Sequence, residues 1–320
     1  MAKNTSGSDS DMKTTVDTPK KILIISNAND ADAMAVNATF ADRLHRTSAD
    51  RLAVRIVHYN DIGFTFEPGK PEVFLLEGRL SLAEFDVVFL KSRPASLEQA
   101  LAIADCLHAA GVPLVGDELL GAISRSKLSQ YARLSAANLP LPKAIFLPPT
   151  QLASHFALLV QEVGVPFILK DVGGFGGNRN FLIRDEMHFR QVLDDCPDIL
   201  FMAQQFIANT GDLRVLVVGG KVRLVILRER RDDSTHLNNT SQGAHSRLLS
   251  LDELGEEAAE LSVRAAHLFK RAITGVDVLF ESGTNRPYIL EINAHPQIAS
   301  GSFVDEKAAL IADYLLELAV

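Results

Sequence analysis

The chain holds only two cysteines, Cys106 and Cys196, whose spacing fits neither a metal-ligand pair nor a disulfide framework. Free thiols are the plain reading, and a reducing cytoplasmic setting is the expectation that follows. No apolar run approaches the ~18 residues needed to span a membrane. Residues 1–19 carry Ser, Thr, Asp and Lys but no apolar stretch, so a disordered tail is expected there rather than a signal peptide. Basic residues are outnumbered, 32 against 40 acidic ones, and the formal net charge of −8 argues against a nucleic-acid partner. No Gly-x-Gly-x-x-Gly follows the first apolar segment, which removes support for a dinucleotide site. What remains is 320 residues with 47% hydrophobic and 22% charged content, ordinary for two or three globular domains.

The most informative stretch is Gly275-Val-Asp-Val-Leu-Phe, a turn-forming break, then Pro287-Tyr-Ile-Leu-Glu-Ile-Asn-Ala. Two apolar runs around such a break predict a β-hairpin. A turn centred on Thr284 places Asp277 opposite Glu291, on one face and with Cβ atoms roughly 4.5–5.5 Å apart. The strand period of 2 adds Asn293 to that face. Two carboxylates and an amide oxygen are hard ligands of the kind Mg²⁺ takes while sharing its shell with phosphates and water. Without a cation, carboxylates ~5 Å apart at an effective dielectric near 20 would repel by about 3 kcal/mol, so a strained hairpin is expected in the metal-free state. The competing reading is an acidic, solvated face, against which the apolar flanks argue.

Earlier in the chain, apolar segments at 21–26, 52–58, 85–91 and 112–115 alternate with helical patterns at 32–47 and 96–110. Such alternation predicts a parallel α/β domain over residues 20–118. Met34, Ala35 and Phe40 form the expected inner side of the first helix. Lys91 and Arg93 fall at a strand end, where open α/β sheets place ligands, although surface charge explains either one alone.

A helix over 119–137 carries Lys127. Strands at 144–147, 165–170 and 199–207 and helices at 151–163 and 186–195 follow. The strand ending in Lys170 runs straight into Asp171-Val-Gly-Gly-Phe-Gly-Gly, with glycines at 173, 174, 176 and 177. Such a loop offers backbone N–H groups to phosphate oxygens. No Gly-Lys-Ser/Thr follows, so it is not a P-loop, and a plain flexible turn is the alternative. Asp212 to Arg228 reads as another hairpin. A three-residue turn, Gly219 to Lys221, pairs Asp212 with Arg228 and keeps Arg214 on their face; a two-residue Gly219-Gly220 turn splits the arginines. The three-residue turn is preferred because it gathers the charges on one side. Next come a polar loop, Asn238-Asn-Thr-Ser-Gln-Gly-Ala, a helix over 253–272 with Leu254, Ala258, Leu261, Ala265 and Leu268 in its apolar stripe, and a closing helix over 307–319.

From about residue 119 to the C-terminus the chain resembles the ATP-grasp superfamily, and within it the RimK-like carboxylate–amine ligases. The resemblance rests on Ser126-Lys-Leu, Pro166-Phe-Ile-Leu-Lys, the 173–177 loop, Gln205-Phe-Ile, Asp212-Leu-Arg with Val217-Val-Gly, Arg228, Asn239-Thr-Ser-Gln-Gly, Gly275-Val-Asp and Glu291-Ile-Asn-Ala, in that order. It implies an α/β (α+β) fold in which subdomains 119–205 and 206–320 clamp ATP behind the N-terminal domain. Lys127 and Lys170 would bind phosphates under the loop of Gly173, Gly174, Gly176 and Gly177. Gln205 and Phe206 would hold adenine, and Asp212 would face the ribose, with Asn239 also in the nucleotide site. Arg214 and Arg228, with Lys170, would serve the transferred phosphoryl group. Asp277, Glu291 and Asn293 would hold Mg²⁺, with Mn²⁺ as a substitute. The reaction implied joins small-molecule or peptide carboxylates and amines through an acyl phosphate. Phosphotransfer to another acceptor, or ATP sensing without turnover, would use the same nucleotide site. A homo-oligomer is compatible with the sequence. The family commonly has Glu at 205 and a small residue, Pro and Gly after Asn293. This chain instead has Ala294-His-Pro-Gln, which leaves glutamate as the added group without support; His295 is either a base for the amine or an ordinary loop histidine.

Overall fold

A computed structural model describes residues 18–27, 31–67, 70–91, 97–116, 127–147, 149–174, 176–230, 236, 238 and 245–319. Most of the tail, Arg93 and Asn239 lie outside those residues. Strand β1 (Lys20–Ser26) shows why an unbroken aliphatic run is needed at the centre of a parallel sheet. Ile22 and Ile24 enter one core, whereas Leu23 and Ile25 enter another on the opposite face. β2 (Leu52–His58), β5 (Val87–Lys91) and β6 (Leu114–Val115) complete a parallel sheet in the order β2-β1-β5-β6. The segment between β2 and β5 contains an antiparallel pair, β3 (Ile62–Glu67) and β4 (Lys70–Leu75). Helix α1 (Ala31–Thr47) buries Asn37, Phe40 and Leu44. Met34 is 59% exposed and Ala35 is exposed too, contrary to the expected inner side. The polar Asn37 concealed the true stripe: its amide donates to Ser26 Oγ and accepts from Lys91 Nζ. Helix α2 (Leu97–Ala110) packs on the other face through Ala100, Ile103 and Leu107.

The second sheet is antiparallel, in the order β7-β10-β8-β9, from β7 (Ala144–Phe146), β8 (Phe167–Asp171), β9 (Asn180–Ile183) and β10 (Phe201–Gln205). Phe167, Phe189 and Phe201 fill the core beneath it, with helices α5 (Phe156–Val163) and α6 (Glu186–Asp195) as cover.

The third sheet orders its strands β13-β12-β11-β14-β15: β11 (Asp212–Val218), β12 (Lys221–Glu229), β13 (His245–Leu249), β14 (Ile273–Phe280) and β15 (Pro287–Asn293). Odd-numbered Leu213, Val215 and Val217 face helix α8 (Glu256–Leu268). Even-numbered Leu216 and Val218 pack with Ile311 and Leu315 of α9 (Val304–Leu318) and with Ile22, Ile24 and Phe40, which joins the N-terminal layer to this sheet. The helix expected over 253–272 breaks at Gly255, where φ is +80°. Helix α3 (Lys127–Ala136) is pinned to the edge strand β15: Gln130 Nε2 donates to Ile292 O at 3.0 Å and Gln130 Oε1 accepts from Ile292 N at 2.9 Å. Among the described residues no helix is long and apolar enough to cross a membrane. Cys106 and Cys196 form no disulfide, and Cys106 is buried.

Both hairpins reach the expected pairing by an unexpected route. Gly219 and Gly220 make a two-residue turn with φ of +59° and +72°, a conformation suited to glycine. Val218 therefore pairs with Lys221, yet Asp212 still pairs with Arg228. A bulge that leaves Arg223 unpaired on β12 restores the register. In the other hairpin Phe280 pairs with Pro287 and Asp277 with Glu291, because Leu290 is the extra residue on β15. Bulges of this kind re-aim side chains beside functional sites, and here both Leu290 and Glu291 line one cleft.

Candidate active site

That cleft, of about 850 Å³, lies between the second and third sheets. Lys170, on β8, enters it from a position only 6% exposed. Its Nζ donates to Tyr131 Oη at 3.3 Å, and Tyr131 Oη in turn donates to Gln204 Oε1 at 2.6 Å. Burial, with Lys127 adding to it, lowers the Lys170 pKa to about 7 despite the pull of Glu291. Lys127 stands at the start of α3, contacts Gly174 O and lies 3.7 Å from Glu291 Oε1. The α3–β15 clamp through Gln130 is what brings that lysine and that glutamate together.

The glycine loop closes this end. Asp171 Oδ1 accepts from Gly173 N at 2.8 Å, and Gly176 and Gly177 have φ of +67° and +79°. A Cβ on Gly174 would meet Asp171 at 3.0 Å. Gly174, Gly176 and Gly177 line the cleft, whereas Gly173 does not.

At the far end the strands β12, β11 and β14 present a ladder of charges. Arg228 donates to both oxygens of Asp212 at 2.7 Å and lies 3.3 Å from Asp277 Oδ2. Arg214 grips Asp277 with two nitrogens. Burial alone would push the Asp277 carboxyl up, but Arg214 and Arg228 outweigh it and hold the carboxyl below its ordinary value. The strained, repulsive hairpin expected from the sequence is therefore absent. Each carboxylate already has a cation: the arginines at Asp277, and Lys127 at Glu291.

Gly275 makes this possible. A Cβ there would stand 2.6 Å from Arg214 Cδ and 3.1 Å from Pro296 Cβ. Gly275→Ala is expected to displace the Arg214 side chain from Asp277, at a cost of about 1–3 kcal/mol in apo stability. ADP release should fall on the order of tenfold or more. Melting temperature and a coupled ADP assay measure the two.

Not every expected residue faces the cleft. Gln205 accepts from Lys143 N at 3.4 Å and points away, while Gln204 lines the cleft beside Phe206. The facing strand decides this: Met202 pairs with Lys170, and Gln204 is the next residue on that face. Asp212, Asp277 and Glu291 line the cleft; Arg214 and Arg228 line an adjoining pocket. Asn293 Nδ2 lies 3.3 Å from both Gly275 O and Asp277 Oδ2. Asn178, Asn209 and His236, which line the cleft, and Tyr131, which accepts from Lys170, were not singled out in the sequence. Burial first, then Arg184 and Arg230, lower the His236 pKa to about 4, so it is a neutral lining group.

Residues 124–313, more than half of the chain, match the RimK-like ATP-grasp domain. The chain belongs to that family. It is an ATP-dependent carboxylate–amine ligase of the ADP-forming carbon–nitrogen class. Among its relatives, a probable alpha-L-glutamate ligase of Cellvibrio japonicus is 27% identical over 242 residues, covering 74% of this chain and 78% of that one. Beta-citrylglutamate synthase B of Mus musculus is 26% identical, over 60% of this chain and 50% of its own length. The ATP-grasp ligase PsnB, solved with a minimal precursor, Mg and ADP, superposes with a TM-score of 0.69 at 17% identity, over 93% of this chain and 97% of PsnB. D-alanine–D-alanine ligase from Bacillus anthracis, complexed with ATP, gives 0.63 at 16% identity, over 93% and 95%. RimK-like enzymes, as ATP-grasp ligases, use ATP and Mg²⁺. Asp277 and Glu291, opposite each other on the hairpin, are hard oxygen ligands of the kind that metal takes, whereas Asn293 turns its amide nitrogen toward Asp277.

Proposed function

We propose that this RimK-like ligase activates a small-molecule or peptide carboxylate as an acyl phosphate and passes the acyl group to an amine. A carboxylate oxygen attacks the γ-phosphorus of ATP and the bond to the β-phosphate oxygen breaks, releasing ADP. The amine nitrogen then attacks the acyl carbon, loses its proton, and expels phosphate. The observation that carries this reading is the meeting, in one cleft, of two phosphate-seeking lysines with Asp212 and Asp277, the acids that hold Arg228 and Arg214 at its border.

Phosphoryl transfer requires positioning and charge neutralisation more than any protein nucleophile. Lys127 and Lys170 take the phosphates beneath Gly174, Gly176 and Gly177, and Gln204 and Phe206 flank the base. Asp212 orients Arg228, and Arg214 and Arg228 receive the charge that develops on the transferred group. Asp277, Glu291 and Asn293 hold Mg²⁺, or Mn²⁺ in its place. When bound, that ion screens the phosphate charges and orients them for in-line attack. Asn239 would complete the nucleotide end. The relatives' names make L-glutamate the first amino acid to test, although the Ala294-His-Pro-Gln segment departs from the family pattern.

The test is ADP release across a panel of carboxylates and amines, with hydroxylamine present to trap the acyl group. Hydroxamate formation is expected with the right carboxylate. ADP release with a phosphorylated product and no hydroxamate would identify a phosphotransferase, and ATP binding without turnover would identify a sensor.

A further inference from the structure

Lys170, Tyr131 and Gln204 form a chain of hydrogen bonds whose direction is set from the lysine. Bound phosphate keeps the Lys170 ammonium charged, and a charged ammonium donates but cannot accept. Its Nζ lies 3.3 Å from Tyr131 Oη and 4.7 Å from the centre of that ring, so the phenol oxygen is the acceptor. Burial, then Glu291, raises the Tyr131 pKa, and the phenol keeps its proton. That proton goes to Gln204, 2.6 Å away, where only the amide oxygen can receive it. The chain thereby fixes which way the Gln204 amide faces. Oε1 is turned to Tyr131, and Nε2, with its two protons, is left for the cleft.

Gln204 is only 5% exposed, and its Nε2 donates to no acceptor among the described residues. A donor so nearly buried is unfavourable unless a ligand brings it an acceptor. Its surroundings indicate which ligand group that is. Gln204 pairs across the sheet with Ile168, and both line the cleft with Phe206, Ile207, Leu279 and Leu290. Apolar walls with one directed polar group suit a planar base. Adenine offers N7 as an acceptor beside its N6 donor. In an anti nucleotide that edge is the one turned toward the 5′-phosphates, and Gln204 is tied to the lysine that faces them. Tyr131 itself is held in place by Val172 and Met202.

We propose that Gln204 donates through Nε2 to N7 of the adenine ring, and that Tyr131 is the positioning residue that fixes it in that sense. The inference rests on the nucleotide site of the ligase reading above. Helix α3 then has two duties: it carries Lys127 to the phosphates, and through Tyr131 it couples the phosphate lysine to the base. A nucleotide whose phosphates engage Lys170 meets a base site already turned to donate.

Calorimetric titration of the full chain with Mg²⁺ tests this by comparing a non-hydrolysable ATP analogue with its 7-deaza counterpart, in which a C–H replaces N7. The parent should bind the 7-deaza compound on the order of 10-fold more weakly, the scale of one buried donor left unpaired. Gln204→Leu removes the donor and should make the two affinities equal. Tyr131→Phe keeps the ring against Val172 and Met202 but frees the amide to turn, and should lose most of the preference. Lys170→Met lets Tyr131 accept from Nε2 and should do the same. A merely structural role for Tyr131 would weaken both compounds alike and leave their ratio unchanged. Equal binding by the parent, or a preference that survives Gln204→Leu, would overturn the N7 contact. A preference unchanged in Tyr131→Phe or Lys170→Met would overturn the positioning role. The parent comparison needs no variant, so a folding defect cannot obscure it. Hydroxamate trapping is independent: if acyl transfer proceeds while the two compounds bind equally, the ligase reading stands and only the N7 contact falls. Binding of neither compound would remove the nucleotide site and this contact together.

Discussion

Glu291→Gln is expected to leave the ligand-free protein as stable as the parent while Mg²⁺-dependent ligation falls by two or more powers of ten. Asp277→Asn should lose ligation and stability together. The two acids oppose each other across one hairpin, but their surroundings differ. The Glu291 side chain is 29% exposed and its partner Lys127 is 3.7 Å away, a loose pair worth well under ~1 kcal/mol. The Asp277 side chain is 9% exposed and bound by Arg214 and Arg228. Removing its charge leaves the largely buried Arg214 without a carboxylate, while Arg228 keeps Asp212, at a cost of about 3–5 kcal/mol. At this chain length that is a drop on the order of 10 °C in apo melting temperature. On the proposed metal assignment both variants lose an anionic ligand, so both should lose turnover. Apo melting temperatures set beside ADP release decide the matter. An Asp277→Asn protein that melts with the parent would show that the arginine pairs contribute nothing, and a Glu291→Gln protein that keeps its activity would remove Glu291 from the metal site.

Lys170→Met should reduce ATP turnover on the order of 10²–10³-fold, the scale for losing one charged donor at a developing anion, with little change in apo melting temperature. The ammonium is buried and its pKa is lowered to about 7. The unfolded value is near ~10.4, so from pH 7 to about 10 the unfolded chain binds a proton that the folded one lacks. By linkage, the penalty of the buried charge is complete below pH 7 and lifts as pH rises, so this group makes apo stability increase across that window. Methionine keeps the stem and removes the penalty. Bound phosphate reverses the balance, since a neighbouring anion favours the charged amine. ATP binding at pH 8 should therefore take up a proton in the parent and not in the variant, as read from calorimetric heats in buffers of different ionisation enthalpy. A steep loss of apo stability in Lys170→Met would instead identify Lys170 as a structural element of the Tyr131–Gln204 chain.

The elements carrying most of the site were legible because they obey short-range rules. β8 is an apolar strand that ends in a lysine and a glycine loop, and Asp277 opposite Glu291 follows from counting across a turn. Gln205 was misplaced because a Gln-Gln pair at a strand end offers two candidates, and only the facing strand selects Gln204. The inner side of α1 was missed because its buried Asn37 is satisfied by Ser26 and Lys91, residues that its own helix cannot supply.

The two hairpins mark the boundary most clearly. Local sequence put Asp277 and Glu291 on one face by counting across the turn, and left the pairing of Asp212 with Arg228 as the preferred of two registers. The third sheet decided how. Gly219-Gly220 adopts its favoured two-residue turn, and bulges at Arg223 and Leu290 absorb the mismatch. The sequence likewise determined that acids and bases would cluster. Which base neutralises which acid depended on strands β12, β11 and β14 lying side by side, and the metal-free site is quiet rather than strained as a result. Lys307 stands at the extreme of this division. Nothing local distinguishes it from a surface lysine of an amphipathic helix, and only the packing of α9 against the third sheet buries it beside Arg214, since burial and long-range charge are properties of the folded chain alone.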